Sequence, residues 1–94
     1  MIRIEREDNG QKGRFVIYEN DTFAGEMTFS WAGENKFIID HTGVKKLFGG
    51  KGYGKLLVMK SVAFAREQGV KILPLCPFAK AVFDKNAAIA DVRF

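Results

Sequence analysis

Gly49-Gly50-Lys51-Gly52-Tyr53-Gly54-Lys55 is the stretch from which the fold can be read. Four glycines fall in six positions, and the segments on either side have different periods. Downstream, Lys55 to Gln68 repeats at helical spacing: Leu56, Leu57, Met59, Val62, Ala63 and Phe64 form a broad apolar face, with Lys60, Arg66, Glu67 and Gln68 outside it. Gly69 is placed to stop that helix. Upstream, Lys36 to Thr42 alternates as a strand, with Phe37, Ile39 and His41 on one side and Ile38, Asp40 and Thr42 on the other. A glycine-rich loop that follows a strand and opens a helix lets the backbone approach a ligand closely and turns successive N–H groups into one hollow. The helix N-terminus adds about half a positive charge at the same place. Phosphate is the ligand such a loop suits best.

Charge points the same way. Residues 1–40 carry five Lys/Arg against eight acids, and residues 41–94 carry ten against three. Between His41 and Ala65 there is no acid, while Lys45, Lys46, Lys51, Lys55 and Lys60 all lie there. That asymmetry favours an anionic partner, although a solvated basic face reads equally well from charge alone. Nucleic acid is a poorer fit, because no strand face interleaves aromatic and basic residues.

Further out, the chain reads as one domain over residues 1–94. Its 47% hydrophobic content is enough for a single core. Ile2 to Arg6, Arg14 to Glu19 and Thr22 to Trp31 read as strands separated by the turns Asp8-Asn9-Gly10 and Asn20-Asp21. In the third of these, Phe23, Met27, Phe29 and Trp31 share a face, and Phe23, Phe29 and Trp31 read as a core stripe. Ala32-Gly33-Glu34-Asn35 turns the chain into the fourth strand. After the helix, Val70 to Leu75 reads as a short edge strand containing Pro74. Phe78 to Lys85 then reads as a second helix and Ala90 to Phe94 as a last strand. The order predicts an α+β domain: a mixed, mostly antiparallel central sheet with two helices.

Other chemistries fit less well. One Cys and one His build neither a disulfide nor a four-ligand zinc site. No apolar run reaches the ~18 residues of a membrane span. The first eight residues alternate apolar and charged and lack a signal-peptide core, so the expected location is the cytoplasm. Gly49, Gly54 and Lys55 match Walker A spacing, but Leu56 stands where the magnesium-holding Ser or Thr belongs. Twenty residues past Gly54, where a dinucleotide site wants an acid, lies Pro74.

The loop, its helix and the following strand resemble the acetyl-CoA-binding core of the GNAT superfamily of N-acetyltransferases. In that superfamily an [Arg/Gln]-x-x-Gly-x-[Gly/Ala] loop binds the CoA pyrophosphate. Gly52-Tyr53-Gly54 matches the glycine part, and Gly49 departs from the Arg/Gln position. The resemblance is closer to the short, stand-alone GNAT-like domains. It rests on Asp40-His41-Thr42-x-Val44, the glycine loop, the helix through Ala65-Arg66, and Pro74-Leu75-Cys76, over roughly residues 20–92.

The resemblance implies a minimal GNAT-like, acyl-CoA-binding fold and transfer of an acetyl group from acetyl-CoA to an amine. It implies that Val44, Gly49, Gly50, Lys51, Gly52, Tyr53, Gly54 and Lys55 hold the cofactor. It also implies that the thioester lies where the strands around Lys36–Val44 and Val70–Leu75 part. Two side chains are candidates for catalysis. His41 reads either as the base that deprotonates the amine, a role its ordinary pKa of ~6.5 suits, or as a hydrogen-bonded strand-end residue. Asp40 is the alternative residue near the substrate.

Cys76 reads either as proton donor or transient acyl carrier, or as a small buried hydrophobe. Phe83 occupies the position where many relatives carry a proton-donating tyrosine, and its ring has no proton to give. Lys80 reads as a lysine within reach of a CoA phosphate or as merely solvated. The chain begins with strands and has no room for the helices that form the acceptor site in longer members. An open groove or a partner chain would therefore receive the amine. A non-catalytic CoA-binding module is the alternative reading.

Overall fold

The computed structural model describes all 94 residues. Four strands follow one another as an antiparallel meander: β1 (Ile2–Asp8), β2 (Lys12–Glu19), β3 (Thr22–Trp31) and β4 (Lys36–Val44). A 3-10 turn at Lys46–Phe48 leads into α1 (Tyr53–Gln68), which carries the chain over to β5 (Lys71–Pro74), parallel to β4. Strand order in the five-stranded sheet is therefore the order of the chain. α2 (Pro77–Asp84) and a 3-10 segment (Ala87–Val92) complete it. The architecture is the expected mixed, mostly antiparallel sheet with two helices. No helix is long and apolar enough to cross a membrane.

One face of the sheet is buried beneath the helices. Phe15, Ile17, Met27, Phe29, Phe37 and Ile39 from the strands meet Leu57, Val58, Val62 and Ala65 of α1 and Ile72 of β5 in a single core. Burial of that apolar surface is the main stabilising term, and it explains why the alternation of β3 and β4 was readable. An aromatic cluster fills the end far from the glycine loop: Phe29 lies 5.0 Å from Phe37 and 6.1 Å from Trp31, and Phe64 of α1 packs on Trp31. The indole N–H of Trp31 is satisfied by Asp8 at 3.1 Å. The opposite face carries charge. Arg14 donates to both Glu7 and Glu26, and Arg3 to Glu5.

Two β-bulges change which way side chains point. In the β2–β3 pairing Ile17 faces Gly25 but Tyr18 faces Phe23, so Ala24 is the extra residue. Ala24 turns into the core, while Phe23 leaves it to pack edge-on against Tyr18. The core stripe thus keeps Phe29 and Trp31 and loses Phe23. In the β3–β4 pairing Phe29 faces Ile39 and Thr28 faces His41, which makes Asp40 the extra residue. A bulge sets two residues against one and reverses the side-chain parity beyond it.

The expected last strand, Ala90 to Phe94, is corrected. Ala87–Val92 is a 3-10 segment with Ile89 and Val92 buried three residues apart, the period of that helix rather than of a strand. The Asn86 side chain caps it by accepting from the Ala88 N–H at 3.1 Å. Arg66 of α1 ties it down through Asp91 at 2.8 Å and the Ala88 carbonyl at 2.9 Å. Only Arg93 bridges to Ile72, and the Phe94 N–H donates to the Ile72 carbonyl.

Candidate functional site

β4 and β5 pair from Lys36–Lys71 to Ile39–Pro74 and then part. Pro74 has no N–H to extend the ladder. The next two N–H groups, of Leu75 and Cys76, both converge on the Ile39 carbonyl at 3.3 and 3.1 Å. β4 continues to Val44, paired there only with β3. The Lys45 N–H donates to Ala24 of β3 at 2.8 Å. Alternation back along β4 leaves the backbone N–H and C=O of Thr42 and Val44 facing the gap. The sheet thus offers a short unpaired strand edge to an extended amide-bearing ligand.

The glycine loop closes the far end of that gap. Gly50 and Gly52 adopt φ of +80° and +78°, a left-handed backbone that side chains rarely tolerate. Gly52 is the N-cap of α1 and supplies no capping side chain. The first helical bond is Leu56 N–H to the Gly52 carbonyl, and none of the N–H groups from Gly50 to Lys55 finds an acceptor in the chain. All of these residues except Lys51 border a cleft of about 510 Å³ lined by Thr42, Val44, Phe48, Gly49, Gly50, Gly52, Tyr53, Gly54, Lys55, Phe78 and Val82. No acidic side chain lines it. Phe78 of α2 lies directly over Gly54 and forms one apolar wall with Val82 one turn on. Lys55 also borders an adjoining hollow of about 400 Å³ with Val82, Lys85 and Asn86.

Of the eight residues expected to hold a cofactor, the cleft brings together Val44, Gly49, Gly50, Gly52, Tyr53, Gly54 and Lys55. Lys51 stands apart. Its ammonium is paired with Glu19, at the end of β2, at 2.8 Å. The Tyr53 hydroxyl donates to the same Glu19 oxygen. Lys51, and then Tyr53, hold the Glu19 carboxyl below the usual glutamate range. The carboxylate in turn pushes the Tyr53 phenol up to about 12. Tyr53 is nearly buried and stacks on Phe48, ring centroids 6.2 Å apart.

Cys76 sits where the strands part, as the N-cap of α2. Its thiol is 5% exposed; it donates to Thr42 Oγ1 at 3.4 Å and accepts from the Ala79 N–H at 3.5 Å. It is thus both a packed core residue and one contact removed from the cleft. His41 is placed otherwise than alternation predicts. The bulge at Asp40 carries it off the Phe37/Ile39 face, onto the side of Gly43. There it is exposed and absent from the cleft lining. Asp40 is also exposed and accepts from Ser30 Oγ at 2.7 Å. Phe83 is buried in the core. Lys80 is paired with Asp84 at 2.8 Å.

Thr42, Phe48, Phe78 and Val82 were not among the expected site residues. Thr42 has the same parity as Val44, and Phe78 and Val82 stand one helical turn apart, so these three carried a local signal, and Phe48 did not. Glu19 carried none.

The family model for GCN5-related N-acetyl-transferases matches residues 14–92. A GCN5-like protein from Staphylococcus aureus, solved by NMR, is 36% identical with a TM-score of 0.70, over 96% of this chain and 87% of that one. Ribosomal-protein-alanine N-acetyltransferase from Brucella melitensis biovar Abortus 2308 superposes with a TM-score of 0.72 at 19% identity, over 85% of this chain. A GNAT family acetyltransferase from Elizabethkingia anophelis, with acetyl-CoA bound, superposes at 0.68 and 13% identity, over 78% of this chain. At those identities the last two establish the fold only. This chain spans 64% and 63% of their lengths. No curated protein matches the chain.

Proposed function

Because the chain belongs to the GCN5-related N-acetyltransferase family, we propose that it moves the acetyl group of acetyl-CoA to a primary amine. The observation that carries this reading is the run of unbonded N–H groups from Gly50 to Lys55, standing at one end of the gap between β4 and β5. Such a cradle fits a pyrophosphate, and the free strand edge beside it fits the amides of a pantetheine arm. When bound, acetyl-CoA supplies an acetyl thioester for the amine to attack.

The chain's own residues then divide the work. The loop N–H groups and Lys55 bind phosphate oxygens. Lys85 and Asn86, across the adjoining hollow from Lys55, suit a further phosphate. The backbone groups of Thr42 and Val44 orient the pantetheine arm, and Phe78 and Val82 exclude water from one side. Cys76 holds a proton at Sγ inside the gap, where the thiolate released as the C–S bond breaks can receive it, and the second proton shed by the newly acylated nitrogen restores the Cys76 thiol. His41, on the other face of the sheet, takes the proton of the incoming ammonium, with Asp40 beside it. This division puts cofactor and acceptor on opposite sides of β4.

The test is a thermal-melt series with acetyl-CoA, CoA, ATP and NAD, followed by thiol release from acetyl-CoA with a panel of primary amines. A ligand at a hundred times its Kd stabilises by ~2.7 kcal/mol. Both CoA species should raise Tm, ATP and NAD should not, and at least one amine should accelerate thiol release. No response to either CoA species overturns the reading. Binding without transfer to any amine favours the non-catalytic CoA-binding module.

A further inference from the structure

Every residue from Gly49 to Lys55 borders the cleft except Lys51. Lys51 stands between the two left-handed glycines and sends its side chain the other way, to Glu19. Its ammonium also lies 5.5 Å from the Phe48 ring centroid and 5.9 Å from that of Tyr53. Lys55, which does line the cleft, has no carboxylate partner. Glu19 therefore removes one cation from an otherwise acid-free anion site and places a negative charge just behind it.

The same carboxylate is the acceptor for the buried Tyr53 hydroxyl. Tyr53 is the first residue of α1, stacks on Phe48, and lines the cleft with it. Glu19 lies 34 residues away in the chain, does not itself line the cleft, and yet pins its wall.

We propose that Glu19 is a positioning residue that sets CoA affinity in two opposing directions: through Tyr53 it builds the phosphate loop, and through Lys51 it withholds a cation from the phosphates. An ion pair on the surface is worth little, so removing the Glu19 charge is enough to free Lys51 for a phosphate. The arrangement limits how tightly CoA is held, which favours release of free CoA after transfer. This inference rests on the cofactor reading above, but its core concerns the anion site alone.

The two directions separate by substitution. Glu19→Gln keeps an oxygen acceptor for Tyr53 and removes the charge. Titration calorimetry with CoA should then show binding about fivefold tighter, from release of Lys51 to the phosphates. Its dependence on salt should also be steeper. Glu19→Ala removes the acceptor as well and should bind more weakly than Glu19→Gln. Lys51→Ala should abolish the gain in the Glu19→Gln background, a coupling no purely structural role produces. Inorganic pyrophosphate as a second probe should follow the same order. Glu19→Gln binding no tighter than the native protein, or tightening independently of Lys51, overturns the inference. A native protein that binds pyrophosphate in this order but not CoA overturns the cofactor reading and leaves the inference standing.

Discussion

Phe78 lies so close to Gly54 that a Cβ on residue 54 would stand 2.7 Å from the ring's Cζ. The ring is 44% exposed, so its far end can swing away. Gly54→Ala therefore displaces Phe78 into the cleft rather than unfolding α1. Alanine favours helix by up to about 1 kcal/mol, which offsets the crowding. Tm should move by only a few degrees. CoA affinity should fall by about tenfold, or ~1.4 kcal/mol. Differential scanning fluorimetry and titration calorimetry on the same variant check both halves.

Cys76 can be tested apart from the loop, because it does not line the cleft. If its thiol protonates the leaving group, Cys76→Ala should lower kcat by about a hundredfold, the scale of a lost general acid, and leave the Kd for CoA unchanged. Single-turnover thiol release measures the first and calorimetry the second. An unaltered kcat would return Cys76 to the role of a packed N-cap.

His41 is exposed on the face opposite the cleft, so replacing it leaves the cofactor's surroundings intact. His41→Gln should lower kcat/KM for the amine by about a hundredfold, the scale of a lost general base, with little change in KM for acetyl-CoA. A kcat/KM equal to that of the native protein would remove His41 from the chemistry.

The Tyr53–Glu19 bond predicts an alkaline limb in stability. The phenol is raised from 10.0 to about 12, so its contribution is fully present below the unfolded value and is lost as pH rises through about 12. Glu19 works in the other sense. Its folded pKa is lowered, so its contribution is present above the ordinary carboxylate range and lost as pH falls below it. The difference in Tm between the native protein and Tyr53→Phe should accordingly be constant near neutrality and shrink above pH 10. A difference that stays constant up to pH 12 would show that the phenol adds nothing through this bond.

Most strands, both helices and the glycine loop were legible because their signals are local. Alternation in β3 and β4, the helical period that put Leu57 and Val62 on the core face of α1, and Gly69 at its end each depend on residues within a turn or two, although Val58 and Ala65, not Leu56 and Ala63, complete that buried face. The segment from Ala87 to Val92 was misread because so short an apolar pattern is ambiguous between periods of two and three. Phe23 and His41 were misplaced for a different reason. Parity along a strand can be counted only if no residue is extra. Whether Ala24 or Asp40 is extra is settled by the partner strand, not by the strand itself.

From the sequence alone came the mixed α+β domain, the glycine loop opening a helix, its suitability for phosphate, and the position of Cys76 at the strand end. These follow from backbone freedom, hydrophobic period and charge, all of which act over neighbouring residues. The tertiary structure decided three other things: that β4 and β5 part after Ile39, that His41 and Thr42 face opposite sides of the sheet, and that Glu19 captures Lys51 and Tyr53 from more than thirty residues away. Each depends on which distant segments pair and pack, because an unpaired strand edge, a bulge and an ion pair exist only between partners the fold has brought together.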